Sequence, residues 1–285
     1  MRTIFCCPLV QGYALTESCC AGTIQFHNDP RDGVVGPPAA SVEICLLSCT
    51  EVCDRNGKPY LDTDKSHYGT PCRGRGEVLI RGPSVSSGYL KKMDKTKKEF
   101  DENGYFHTGD IAIFTTDGCI QIVDRLKNLV KLKGGEYIAL ESMEKEYAKS
   151  IYVDGKNGGV MCYGDGDMDR PVAFVQANVK EIQRWAREQK GVECDDVEAM
   201  LRDPKVLKLV LSDLLNEGKK GGVGRNERLC AIHLISGRGS PDRAEANSPF
   251  TPENGYLTAS NKLQRKGVIK GMGSVMDALK RKGIR

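Results

Sequence analysis

No apolar run in this chain reaches the roughly 20 residues that a bilayer-crossing helix needs, so no spanning helix is expected. The opening Met1-Arg2-Thr3-Ile4-Phe5-Cys6-Cys7-Pro8 has too short an apolar stretch for a secretory leader. A cytoplasmic, reducing setting is therefore the expectation. Paired metal-ligand spacing is missing as well: the histidines at 27, 67, 107 and 233 are far apart, and no Cys-x-x-Cys accompanies them, which argues against zinc. Any metal is expected on oxygen ligands. Charge is not one-sided, since 42 basic residues face 38 acidic ones for a net +4. With no aromatic stacking platform or nucleic-acid motif either, no nucleic-acid partner is expected.

What is present suits a globular protein. A chain of 285 residues, 39% hydrophobic, has material for about two domains with separate cores. The twelve cysteines include adjacent pairs, Cys6-Cys7 and Cys19-Cys20, which rarely form a disulfide framework, so they are expected as small buried hydrophobes. Lysine runs at 91–98 and 280–282 read as solvated faces, although either could meet an anion.

Along the chain, Gly33-Val34-Val35-Gly36-Pro37-Pro38 reads as a rigid turn, Ser41 to Ser48 as a strand, and Gly76 to Gly82 as a clearer one. Asp117-Gly118 joins Asp110–Phe114 to Cys119–Val123 in a predicted hairpin. This succession of short strands predicts a β-barrel-like unit. The style changes at Asp124, where a domain boundary is expected, giving domains 1–123 and 124–285. Beyond it, Leu140–Lys149, Val179–Gln189 and Pro204–Leu215 have helical spacing. Val160–Tyr163 pairs with Val172–Val175, another strand ends near Ile235, and 237–249 reads as a flexible loop.

Four segments carry candidate chemistry. In Tyr13-Ala14-Leu15-Thr16-Glu17 the tyrosine offers a flat face to a purine, the threonine a hydroxyl to a phosphate, and the glutamate a hard oxygen to magnesium. A turn preceding a helix would use the same residues. His107-Thr108-Gly109-Asp110 ends in a carboxylate able to accept both ribose hydroxyls, or simply to close a strand turn. Asp124-Arg125-Leu126-Lys127 leads to Gly134-Gly135, either a ligand-approach loop or a plain basic hairpin. Leu257-Thr258-Ala259-Ser260-Asn261-Lys262 presents an ammonium, with Lys266 and Lys270 as nearby competitors.

In this order, the segments resemble those of the adenylate-forming, AMP-binding enzymes, most closely the long-chain fatty acyl-CoA synthetases, over nearly the whole chain. Two departures are mild: Ala14 stands where the family usually has glycine, and Ala259 where it has proline. The resemblance implies an α/β fold, the C-terminal remnant of a large adenylation domain with its barrel-like subdomain, followed by a smaller mobile α+β lid. It implies that Tyr13, Asp110 and Arg125 hold the nucleotide, that Glu17 holds Mg2+, and that Asp124 is the hinge. It further implies that Gly134 and Gly135 line the CoA channel, and that Lys262, with Thr16 and Glu17, serves catalysis. Fatty acid, ATP and CoA are the implied small-molecule ligands, with peripheral membrane contact compatible. The Ser/Thr/Gly-rich phosphate loop of the family would precede Gln11 and has no counterpart here. The chain is accordingly expected to be part of a longer ligase, weak or inactive alone. The alternative is a noncatalytic remnant used as a binding or interaction module.

Overall fold

Alternation along one long strand organises the first part of the molecule. In Thr70–Arg81 the residues Gly76, Val78 and Ile80 share one face, while Arg75, Glu77 and Leu79 share the other, because successive side chains of a strand point to opposite sides. Val78 and Ile80 join Val42, Ala112 and Ile120 in an apolar core. Arg75 and Glu77 are also buried, so their charge must be met by partners.

The computed structural model describes residue 4 and residues 6–54, 56–189 and 195–284. Two compact units result, Met1–Leu129 and Val130–Arg285. The first contains β1 (Gly12–Leu15), β2 (Cys20–Ile24), β3 (Val34–Gly36), β4 (Glu43–Leu47), β5 (Cys49–Cys53), β6 (Pro59–Tyr60), β7 (Ser66–His67) and β8 (Thr70–Arg81). Helix α1 (Met93–Glu99), β9 (Phe106–Thr115) and β10 (Ile120–Arg125) complete it. The main sheet runs β3-β10-β9-β8-β4, with β7 also paired to β8, and β1-β2 and β5-β6 form separate ribbons. No described pairing joins β3 to β4, so the strands of the barrel-like expectation form an open path. The predicted Asp117-Gly118 hairpin is present, Gly118 having the positive φ (82°) that its turn requires. Helix α1 buries none of its residues, as expected of a solvated lysine run.

The buried Arg75 side chain is 3% exposed and is held from four directions. Its guanidinium donates to Asp54 and Asp64 at 2.6 Å each and to the Pro59 carbonyl at 2.8 Å, and it lies over the Tyr60 ring. This node fastens the β5-β6 ribbon to β8.

Crossing the unit boundary, β11 (Leu129–Lys131) pairs with β12 (Tyr137–Ala139). The second unit continues with α2 (Leu140–Tyr147), β13 (Val160–Tyr163), β14 (Val172–Gln176), α3 (Val179–Arg187), α4 (Val197–Arg202), α5 (Pro204–Lys220), β15 (Ala231–Ile235) and α6 (Arg265–Lys282). Its sheet has the order β13-β14-β15. β14 lies antiparallel to β13 but parallel to β15, and the three intervening helices supply the crossover that parallel strands need. Helix α2 buries Met143 and Tyr147, as their spacing predicted. Helix α5 buries Val206, Val210 and Leu214 along one stripe and begins on Asp203 with Pro204 at its first turn, a favourable start. Helices α4 and α6 were not anticipated. The α6 stripe Val268, Met272, Met276, Leu279 is interrupted by lysines and glycines, and the helix kinks at Gly273. At its end Lys280 pairs with Asp165 at 2.6 Å.

Cys72, Cys119 and Cys162 are buried as expected, whereas Cys6, Cys7, Cys19 and Cys20 are exposed, a correction that follows from their place in or beside turns. No helix of the described residues is long and apolar enough to cross a membrane.

Two stability predictions follow from buried charge. Arg75→Leu leaves Asp54 buried and unpaired, and should cost the first unit about 3–5 kcal/mol. Loss of amide exchange protection along β8 and β9 would report it; unchanged protection would show that the node is dispensable. In the second unit, burial, then Arg202 and Lys282, push His233 down to about 4, and its Nε2 has no hydrogen-bond partner among the described residues. The unfolded chain therefore takes up a proton before the folded one. Stability should be complete above about pH 6.5 and fall as pH drops toward 4, by no more than about 3 kcal/mol. Urea unfolding followed by Trp185 fluorescence should show a steeper acid loss in the parent than in His233→Leu; equal slopes would refute the assignment.

Candidate active site

Strand register brings the first candidate residues together. Along the β9–β10 ladder Ile120 faces Phe114, Gln121 faces Ile113 and Ile122 faces Ala112. Continued regularly, this register would set Asp124 against Asp110, two carboxylates face to face. An irregularity between Ile122 and Asp124 shifts it, so that Asp124 faces Ile111 and Arg125 faces Asp110. Like charges opposite one another are thereby replaced by a cation–carboxylate pair, with Arg125 Nε donating to Asp110 Oδ1 at 3.0 Å.

Asp110 is 3% exposed. The β1-β2 ribbon lies over the same core, anchored by the Thr23 hydroxyl donating to the Val35 carbonyl at 2.7 Å. From it the Tyr13 hydroxyl donates to Asp110 Oδ2 at 2.5 Å. Burial, then the neighbouring Asp110 charge, push the Tyr13 phenol well above its usual range, so it remains a donor. Tyr13, Asp110 and Arg125 are thus in one cluster.

Glu77, which sequence reasoning did not select, shapes the approach to Asp110. Its Oε1 accepts from the Gly109 N–H at 2.9 Å and its Oε2 lies 3.4 Å from His107 Nδ1. Gly109 has φ 71°, and the Thr108 hydroxyl accepts from the Asp110 N–H while donating to the Val78 carbonyl. The signal was the parity of β8, which puts Glu77 on the face away from Val78.

Thr16 and Glu17 lie in the turn between β1 and β2, which leads into a strand and not the helix weighed from sequence. The Ser18 hydroxyl braces this turn, donating to the carbonyls of Leu15 and Cys20. Glu17 Oε1 accepts from the Tyr89 hydroxyl at 2.6 Å, and Glu99 Oε2 approaches the same hydroxyl at 2.6 Å. Burial and these two carboxylates raise the Tyr89 phenol. The second oxygen of Glu17 has no hydrogen bond among the described residues. It fits magnesium, which is commonly held by one or two carboxylates together with substrate phosphates. Tyr89 and Glu99 were missed because their distance in sequence from Glu17 hides the contact.

Asp124 is 3% exposed, and its Oδ1 accepts the Arg125 N–H at 2.6 Å. In the second unit, Gly134-Gly135 forms the tip of a tight turn: Leu132 and Glu136 are bonded across it and Gly135 has φ 89°. Lys262 is exposed on a short finger closed by a Leu257–Leu263 bridge. The Thr258 N–H donates to the Lys262 carbonyl at 2.7 Å, and the Thr258 hydroxyl accepts the Lys262 N–H at 3.0 Å. Just beyond, Arg265 grips Glu144 with two bonds of 2.6 and 2.8 Å and also donates to the Cys162 carbonyl. Lys266 and Lys270 instead lie within α6.

Comparison with known proteins adds independent findings. The AMP-binding enzyme family matches residues 1–90. Fatty acyl-CoA synthetase B of Dictyostelium discoideum is 35% identical over 271 residues, covering 95% of this chain and 36% of that protein. Long-chain-fatty-acid–CoA ligase 1 of Schizosaccharomyces pombe is 34% identical over 284 residues, covering 97% of this chain and 37% of its own length. Among solved structures, the A domain of carboxylic acid reductase from Segniliparus rugosus, in complex with AMP and a co-purified carboxylic acid, matches 96% of this chain and 35% of its own. It does so with 25% identity and a TM-score of 0.71. The chain therefore spans just over a third of the length of these curated relatives. On its fold, its similarity to these relatives and the match of its first 90 residues, it belongs to the AMP-binding, adenylate-forming enzymes, beside their long-chain fatty acyl-CoA synthetases.

Proposed function

We propose that this chain contributes the ribose-holding and lysine-bearing parts of a long-chain fatty acid–CoA ligase. The single observation that carries the reading is the convergence of Tyr13 and Arg125 on the buried Asp110 in a chain 35% identical to a fatty acyl-CoA synthetase. In the first step a fatty carboxylate attacks the α-phosphorus of ATP, an acyl-adenylate forms and pyrophosphate leaves. In the second the CoA thiol attacks the acyl carbon, the thioester forms and AMP leaves. A noncatalytic module is the less favoured reading, because the similarity to fatty acyl-CoA synthetases and ligases runs over nearly the whole chain.

The assigned roles follow from side-chain chemistry. Asp110 accepts the ribose hydroxyls, Arg125 balances its buried charge, and the Tyr13 ring packs against the base. Glu17 holds magnesium, which when bound neutralises phosphate charge, and Thr16 donates to a phosphate oxygen. Asp124 is the proposed hinge, and the Gly134-Gly135 turn lets the narrow pantetheine arm approach backbone closely. Lys262 meets the charge that builds on the transferring phosphoryl group. Two unit charges about 4 Å apart gain roughly 1 kcal/mol in bulk water but roughly 4 at an effective dielectric near 20, so exclusion of water strengthens this contact.

Two measurements on the complete ligase containing this chain test the roles. Asp110→Ala should weaken AMP at least about tenfold, since hydrogen bonds to a charged group contribute about 1.5–3 kcal/mol each; unchanged affinity by titration calorimetry would remove the ribose assignment. Lys262→Ala should slow acyl-adenylate formation by about 100- to 1000-fold while thioester formation from preformed adenylate survives. Equal loss in the two half-reactions would refute the role of Lys262.

A further inference from the structure

We propose that the second unit has an anion site for a phosphate-bearing small molecule, at the C-terminal ends of its two parallel strands. A cavity of about 760 Å³ opens there, lined by three separate segments: 153–156, the start of α3, and the stretch just after β15. Its floor is tied together by hydrogen bonds. Asp154 N–H donates to the Gln176 carbonyl, Ala177 N–H to that of Ile235, and Asn178 N–H to that of Tyr152, each at 2.8 Å. Carboxyl ends of parallel strands are where helix N-termini turn toward an opening and ligands settle.

Each segment brings one cation: Lys156, Lys180 and Arg238. None of the three side chains, all exposed, forms an ion pair or hydrogen bond among the described residues, whereas Arg170, Arg202, Arg265 and Lys280 of the same unit do. Against these three cations the lining holds one carboxylate, Asp154. Asp154 Oδ1 accepts the Lys156 N–H at 3.0 Å, and Glu181 sits 3.8 Å from Arg184. The lining therefore carries an excess of positive charge.

Neutral donors point the same way. Asn178 makes no side-chain cap for α3, its amide being turned to the Ile151 carbonyl at 2.9 Å; the Val179 N–H bonds the Ala177 carbonyl, and the next N–H groups of the first turn receive no side-chain acceptor among the described residues. Ser236, 6% exposed, lines the cavity and accepts the Arg238 N–H at 3.3 Å, while its own hydrogen has no acceptor among the described residues. Cations from three directions, a hydroxyl donor and a helix start suit a group with several anionic oxygens better than a single carboxylate. The cavity exceeds the size of a bare phosphate, which leaves room for an attached organic group. That group belongs either to a free phosphomonoester or to an anionic lipid headgroup.

The test uses the chain as it is, ¹⁵N-labelled, with inorganic pyrophosphate as the probe. Amide shifts should move together at 154–156, 178–181 and 236–238, saturate, and weaken as salt is raised. Lys180→Ala with Arg238→Ala should lower the affinity at least about tenfold, with Trp185 fluorescence confirming that the fold persists. A parallel arm compares glycerol 3-phosphate with phosphatidic acid vesicles; tighter binding of one names the source, and either supports the site. No shifts in these three segments at millimolar pyrophosphate, or equal affinity in the double variant, would overturn the proposal.

Discussion

One buried carboxylate sets the terms for the first unit. Asp110 lies on a central strand with almost no contact with water, where an unpaired charge would cost several kcal/mol. Its compensation comes from two directions that share no local sequence: a guanidinium across the ladder and a phenol from the β1-β2 ribbon. The backbone irregularity in β10 is the device that makes this possible, since a regular ladder would have placed a second carboxylate opposite. Local geometry at that point thus decides both the electrostatics of the cluster and the direction in which Arg125 and Asp124 face.

The second unit meets its polar obligations by other means. Its sheet is buried on both sides by helices, and the apolar stripes of α5 and α6 contribute to a single core with Met143, Tyr147 and Phe174. Within that apolar setting Arg265 is fixed by Glu144 and the Cys162 carbonyl, which anchors the base of the Lys262 finger to α2 and β13. Burial pushes Glu144 up to about 7, and the bidentate guanidinium opposes that shift. The finger itself is closed by Thr258, so Lys262 is presented from a braced loop while its own side chain stays exposed.

Much of the architecture was legible where periodicity was strong. The strand from Gly76, the Asp117-Gly118 hairpin, the β13-β14 pair and the helix through Met143 and Tyr147 all stand where their patterns put them. The elements that escaped notice had weak local signals. Helix α4 is only six residues long, and α6 mixes its apolar stripe with lysines and glycines. The β1-β2 ribbon was ambiguous because Thr16 and Glu17 fit a turn before a helix as well as a turn between strands. At the site, residue types in order pointed to Tyr13, Asp110 and Arg125, but Glu77, Tyr89 and Glu99 had no such marker.

By itself, then, the sequence determined which groups are available: acids, a phenol, a guanidinium and an ammonium, in an order that resembles one enzyme family, on strands and helices set by their hydrophobic spacing. Tertiary structure alone decided which of them meet. A shift of one residue in strand register exchanges Asp124 for Arg125 opposite Asp110, and no composition or spacing rule reports that shift. The same holds for the second unit, where three cations far apart in sequence line one cavity because parallel strands end on the same side of a sheet. Side-chain chemistry is local to the chain, whereas proximity is a property of the packed backbone.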